Sequence, residues 1–95
     1  MYRLMSVAET IRRKLESRFT PMELEIIDES ARHRGHAGSR PEGETHFRVR
    51  VVAEAFTGLS RVARQRAVYD ALAEELAGPL HALSVVTLAP GEERD

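Results

Sequence analysis

Ninety-five residues, 31% charged and 42% hydrophobic, fit one small soluble domain with a single modest core. No apolar run is long enough to span a bilayer and no basic-then-apolar leader opens the chain, so no membrane is expected and the expected location is cytoplasmic. Zero cysteines exclude disulfides, thiol nucleophiles and all-thiolate metal sites, and a net charge of −1 gives no global pull toward nucleic acid.

Ser6 to Phe19 reads as an amphipathic helix. Ser6 caps it, Glu9 completes a capping box, and Val7, Ile11, Leu15 and Phe19 line one stripe. Thr20-Pro21 stops it, because proline disfavours helical geometry in the preceding residue. Met22 to Ser30 reads as a strand in which Met22, Leu24 and Ile26 alternate with Glu23 and Glu25. A second strand is expected from His46 to Ala53, with Phe47, Val49 and Val51 inward and Arg48 and Arg50 outward. Those arginines can face Glu23 and Glu25 across an antiparallel pair.

Phe56-Thr57-Gly58-Leu59 reads as a turn. Ser60 then caps a second amphipathic helix running to about Ala77, with Val62, Tyr69, Leu72 and Leu76 as its apolar stripe. The segment Phe56 to Leu80 has room for a short helical turn before that helix. Gly78-Pro79 ends it, and His81 to Leu88 is a third strand. Residues 1–5 and 89–95 are expected to fray, the latter as a polar, acidic tail. The order predicts one α+β domain over residues 1–95, with helices on one face of a three-stranded sheet.

The stretch Asp28 to Phe47 stands out as the working part. It holds three of the four histidines (His33, His36, His46) and three of the six glycines. Loops of that length inside a compact domain are uncommon, and histidine suits metal ligation and proton chemistry better than it suits a spacer. His33 and His36 are three apart and can reach one ion, although solvated loop histidines are commoner. His46, which begins a strand, reads as structural, and His81 as a partly buried histidine at a sheet corner that caps a nearby carbonyl. A self-contained zinc site is not expected, since structural sites generally recruit cysteine and catalytic ones need three ligands on rigid elements.

Side-chain catalysis finds no support either. Ser30 and Ser60 sit in capping or strand-end positions without a base partner, and Asp28 and Glu29 point to opposite faces of a strand. Charge is uneven, with thirteen basic residues against nine acidic ones in residues 1–66 and one against six thereafter. Arg61, Arg64 and Arg66 gather at the start of the second long helix, where they can contact phosphates or lie on a solvated face; the solvated face is the commoner case.

DES at 28–30, ETHFRVRVV at 44–52, FTGLS at 56–60 and RAVYDALAEELAGPLHALSVVT at 66–87 together resemble the BolA family over nearly the whole chain. The resemblance implies an α-β-β-α-α-β fold similar to class II KH domains, although the GxxG loop of KH domains is missing here. It implies a partnership with monothiol glutaredoxins around a bridging [2Fe-2S] cluster shared with glutathione, and no cofactor when the chain is isolated. The family's C-terminal ligand matches His81, and its second comes from the loop, where this chain offers His33 first and His36 next. A cysteine-free chain can lend imidazoles while the partner supplies thiolates, which raises the reduction potential and makes binding depend on pH. Alone, such a chain is expected to be a monomer or weak homodimer. Family members often carry RHR where this chain has Arg64-Gln65-Arg66. The family also resembles DNA-bound transcriptional regulators, the second reading.

Overall fold

The computed structural model describes residues 6–29 and 45–93. The elements run α1 (Val7–Phe19), β1 (Glu23–Asp28), β2 (His46–Val52), a 3-10 turn (Glu54–Phe56), α2 (Arg61–Ala71), α3 (Ala73–Ala77) and β3 (Ala82–Leu88). This is the expected α-β-β-α-α-β order, and it is compatible with a class II KH-like arrangement.

Helix α1 starts as its sequence dictates. The Ser6 hydroxyl accepts from the Glu9 N–H, and the Glu9 carboxylate accepts from the Ser6 N–H at 2.9 Å. The stop at Thr20 also holds, but its geometry is left-handed (φ 45°, ψ 57°) rather than extended. That conformation lets the Thr20 N–H reach back to the Glu16 carbonyl at 3.0 Å. Ile11, Leu15 and Phe19 are buried and Val7 packs beside them.

The sheet order is β1-β2-β3, with β1 antiparallel and β3 parallel to the central β2. A parallel return needs a long crossover, and α2 and α3 provide it. Phe47, Val49 and Val51 face the helices and are at most 2% exposed. They meet Ile11, Leu15, Val68, Leu72, Phe56 and Leu80 in one core, in which the Phe19 and Phe56 rings lie 5.0 Å apart. Charge pairing across β1–β2 comes out diagonal. Glu25 is the register partner of Arg50 and Ile27 that of Arg48, while the ion pair joins Arg50 to Glu23 at 2.7 Å. Met22 falls outside β1 and is largely exposed, so the inward alternation begins at Leu24.

The turn into α2 has a specific form. Thr57 (φ −60°, ψ 127°) and Gly58 (φ 82°) are its central residues, and the Leu59 N–H donates to the Phe56 carbonyl at 3.0 Å. These are type II values, which require positive φ at the third residue and so favour glycine.

The long helix does not run unbroken to Ala77. Leu72 (φ −109°, ψ 21°) separates α2 from α3. The expected stripe therefore needs correction. Val68 and Leu72 are buried, with Ala67, Ala71 and Leu76 packed against them, whereas Val62 and Tyr69 are exposed. Small residues let α2 lie close on the sheet, and the break at Leu72 resets the facing of everything after it. Lys14 then ties the crossover back to α1, reaching Glu74 at 2.7 Å and the largely buried Glu75 at 2.8 Å.

The outer edge of β3 is dressed by side chains. The Leu88 carbonyl accepts from Ala53 on the β2 side, so alternation turns the polar groups of Leu83, Val85 and Thr87 outward. The Tyr69 hydroxyl donates to the Leu83 carbonyl at 3.2 Å, and Arg64 reaches the Thr87 carbonyl at 3.5 Å. A capped edge is a poor template for unwanted strand pairing.

The expected fraying after Leu88 does not reach Glu92. Ala89 is 3% exposed, its N–H donates to Glu92 Oε1 at 2.9 Å, and Glu92 is held by Arg64.

Candidate functional site

His46 opens β2, and Ala82, its register partner, opens β3. Because the two strands run parallel, the residue before β3 lands beside the first residue of β2. The rings of His46 and His81, far apart in sequence, come to lie 5.2 Å apart between centroids at an angle of 40°. The two environments differ. His46 is 7% exposed, with Nδ1 sitting 2.8 Å from the buried Thr45 Oγ1. His81 is exposed.

Backbone geometry fixes where His81 stands. Leu80, 1% exposed, plugs into the core immediately before it, and its N–H donates to the Glu75 carbonyl at 2.9 Å. The His81 N–H donates to the Thr45 carbonyl at 2.8 Å and the Ala82 N–H to the same oxygen at 3.1 Å. The Glu29 N–H donates to the His46 carbonyl at 2.7 Å. The chain therefore leaves for segment 30–44, and returns from it, beside this pair of rings. His33 and His36 lie in that segment, outside the described residues.

The pairing of His46 with His81 was not read from the sequence, where His46 stood as a structural residue. The only available signal was that each lies at the start of a strand, and that becomes informative only once the two strands are known to be parallel and in register. Among the described residues no group of three or more histidine, cysteine or acidic side chains could hold a metal ion. What the geometry offers is an exposed imidazole, of the kind that ligates metals, on a corner held by backbone hydrogen bonds, and a second, buried ring packed against it.

The three arginines of α2 separate in the structure. Arg61 and Arg66 are exposed. Arg64, its side chain only 11% exposed, donates from Nε to the Leu59 carbonyl at 3.0 Å. It also holds Glu92 in a two-point pair, at 2.6 Å through Nη1 and 3.0 Å through Nη2. The Arg64 guanidinium and the Ala89 N–H together pull the Glu92 carboxyl down to about 2, and Glu92 holds Arg64 above its usual value. Arg64 is thus committed to the chain's own carboxylate.

Residues 15–92 match the family profile described as BolA-like protein. The chain is 54% identical over 89 residues to an uncharacterised Sinorhizobium protein encoded 5′ of cobS, covering 93% of this chain and 96% of that one. It is 45% identical over 83 residues to the Escherichia coli protein named DNA-binding transcriptional regulator BolA, covering 87% and 75% of the two chains. It spans less than two thirds of other relatives, such as human BolA-like protein 1, of which 62% is covered at 48% identity. Among solved structures, the BolA domain of SufE1 from Arabidopsis thaliana superimposes with a TM-score of 0.83 at 47% identity, covering 96% of this chain and all of that one. With its fold and its sequence both matching, the chain belongs to the BolA family.

Proposed function

We propose that this protein is a non-enzymatic adaptor. It binds a monothiol glutaredoxin and shares with it and with glutathione a bridging [2Fe-2S] cluster, in iron–sulfur assembly and trafficking or in iron and redox regulation. The observation that carries the reading is the exposed imidazole of His81 on a corner pinned by two hydrogen bonds to one carbonyl, against the buried ring of His46. The donor chemistry fits. Iron–sulfur clusters are held mainly by thiolates, this chain has no cysteine, and imidazole nitrogens serve as substitute ligands on one iron.

His81 would hold the group, with His33 first and His36 next as candidates for the second ligand. The bound cluster would supply redox and transfer chemistry. The chain's own contribution is positional: Leu80 anchors the corner, Thr45 fixes its backbone, and His46 backs the His81 ring and limits its tilt.

The test is visible absorption and circular dichroism as the protein is titrated into a cluster-loaded monothiol glutaredoxin. A spectral change saturating near equimolar ratio, lost with His81→Ala and with one of His33→Ala or His36→Ala, is the expected result. No change with wild-type protein would sink the reading.

The name of the Escherichia coli relative and the exposed Arg61 and Arg66 favour a second reading, DNA binding through the start of α2. It requires affinity for duplex DNA that falls steeply with salt and weakens in Arg61→Ala or Arg66→Ala, measured by fluorescence anisotropy.

A further inference from the structure

A small pocket opens beside the far end of β3. Its volume is about 220 Å³, and it is lined by Arg61 and Arg64 of α2, Val85 to Leu88 of β3, and Glu92. One observation sets it apart from an ordinary crevice. Thr87 is 8% exposed, lines the pocket, and has an Oγ1 with no hydrogen-bond partner among the described residues. A buried hydroxyl left unpaired costs free energy, so such groups call for an explanation. Two guanidinium groups stand at the same pocket. That of Arg61 is exposed, and that of Arg64 is gripped at two points by a carboxylate.

We propose that this pocket is an oxyanion site for phosphoryl groups, and that Glu92 sits in it as a tethered occupant which an incoming phosphate displaces from Arg64. The two-point geometry between Glu92 and Arg64 is the one a planar guanidinium makes with carboxylate or with phosphate. A phosphate carries more acceptor oxygens than a carboxylate. It can take the Arg64 fork, an arm from Arg61 and the hydroxyl proton that Thr87 now gives to no group. The pocket has room, since one water takes up roughly 30 Å³ in the liquid. Glu92 is well placed to leave. It lies only four residues past the end of β3, its side chain is 44% exposed, and the chain beyond it is polar.

The site uses neither His46 nor His81, so its fate is independent of the glutaredoxin reading. It bears on the second reading by supplying the reason Arg64 is not available to phosphates in the resting chain. Inorganic phosphate and a short duplex carry the same chemistry, and both serve as probes.

Amide NMR titrations of the full chain at low salt give the test, following the signals of Thr87 and Ala89. Glu92→Gln removes the competing charge and keeps an oxygen for the Ala89 N–H. It is expected to bind inorganic phosphate on the order of tenfold more tightly than wild type, because a tethered competitor acts at high effective concentration. Adding Thr87→Val should reverse several-fold of that gain, while Thr87→Val alone keeps or raises the thermal midpoint, since valine has threonine's shape without the unpaired hydroxyl. Where Glu92→Gln folds poorly, Glu92→Ala takes its place. A matching gain on the duplex upholds the site and points to a nucleic-acid backbone; a gain on phosphate alone upholds it and points to a free phosphate ester. Equal phosphate affinity for wild type and Glu92→Gln overturns the proposal. So does a Glu92→Gln affinity indifferent to Thr87→Val.

Discussion

Strands β2 and β3 begin together at His46 and Ala82, with His81 just before the latter, and end together near Val52, Thr87 and Leu88, and the chemistry at the two ends differs in kind. At the beginning, one ring is buried and the other faces outward, so the end presents a donor it does not use internally. At the finish, Arg64 and Glu92 satisfy each other, the Thr87 carbonyl and the Ala89 N–H are capped, and the charge is closed on itself. The first arrangement is suited to a partner that brings its own ligands. The second holds the C-terminal segment against the sheet. A net charge of −1 conceals this contrast, because what matters is whether each polar group is paired inside the chain.

Both ends hang on one core, so the largest effect should come from loosening what they share. Leu72 is fully buried at the junction of α2, which carries Arg64, and α3, which leads to Leu80 and His81. Leu72→Ala should cost about 2–5 kcal/mol in urea denaturation, and should weaken the proposed glutaredoxin binding and the Arg64–Glu92 closure together. An effect on one end alone would show that the ends do not depend on a common anchor.

The histidine end can then be divided. His46→Ala removes a buried ring beside the Thr45 hydroxyl and should destabilise by about 1–3 kcal/mol. His81→Ala removes an exposed ring and should leave the urea midpoint within the scatter of replicate measurements while abolishing the spectral change proposed for the glutaredoxin titration. Equal destabilisation by both would mean that His81 is a packing residue after all.

Acid probes the arginine end. The Glu92 carboxyl is lowered from 4.5 to about 2 in the folded chain. A depressed carboxyl contributes stability that is complete above its unfolded value and is lost as pH falls through its folded value. The urea midpoint should therefore fall between pH 4.5 and about 2, and Glu92→Gln should flatten part of that fall. Glu74, lowered by its hydrogen bond to Lys14, contributes with the same sign, so Glu74→Gln should flatten it further. Both pairs are open to solvent, and added salt should shrink both effects. They are the smallest changes expected, and a pH profile unaffected by Glu92→Gln would mean that the closure adds nothing to stability.

Local structure was legible wherever near neighbours decide it. Ser6 and Glu9 declare a capping box, the four-residue spacing from Ile11 to Phe19 declares a buried stripe, and Phe47, Val49 and Val51 declare a one-sided strand. The family motifs pointed to His81 and to the loop histidines. Three features escaped. The facing of α2 was one: Val68 and Leu72 with the small Ala67 and Ala71 form its packed side and leave Val62 and Tyr69 exposed, a choice made by the fit against the sheet rather than by apolar residue type. The tail was read as frayed from its composition, yet Glu92 finds the Arg64 guanidinium. His46 was read as a lone structural residue.

Residue type and short-range spacing were enough for the element order, the core-facing sides of α1 and β2, the glycine at the type II turn and the lack of thiolates. Long-range packing alone brings His46 to His81, closes Arg64 with Glu92, and buries the Thr87 hydroxyl with no hydrogen-bond partner among the described residues. Those contacts depend on a parallel register set by the α2–α3 crossover and by shared burial, and no pattern within one segment of chain encodes that register.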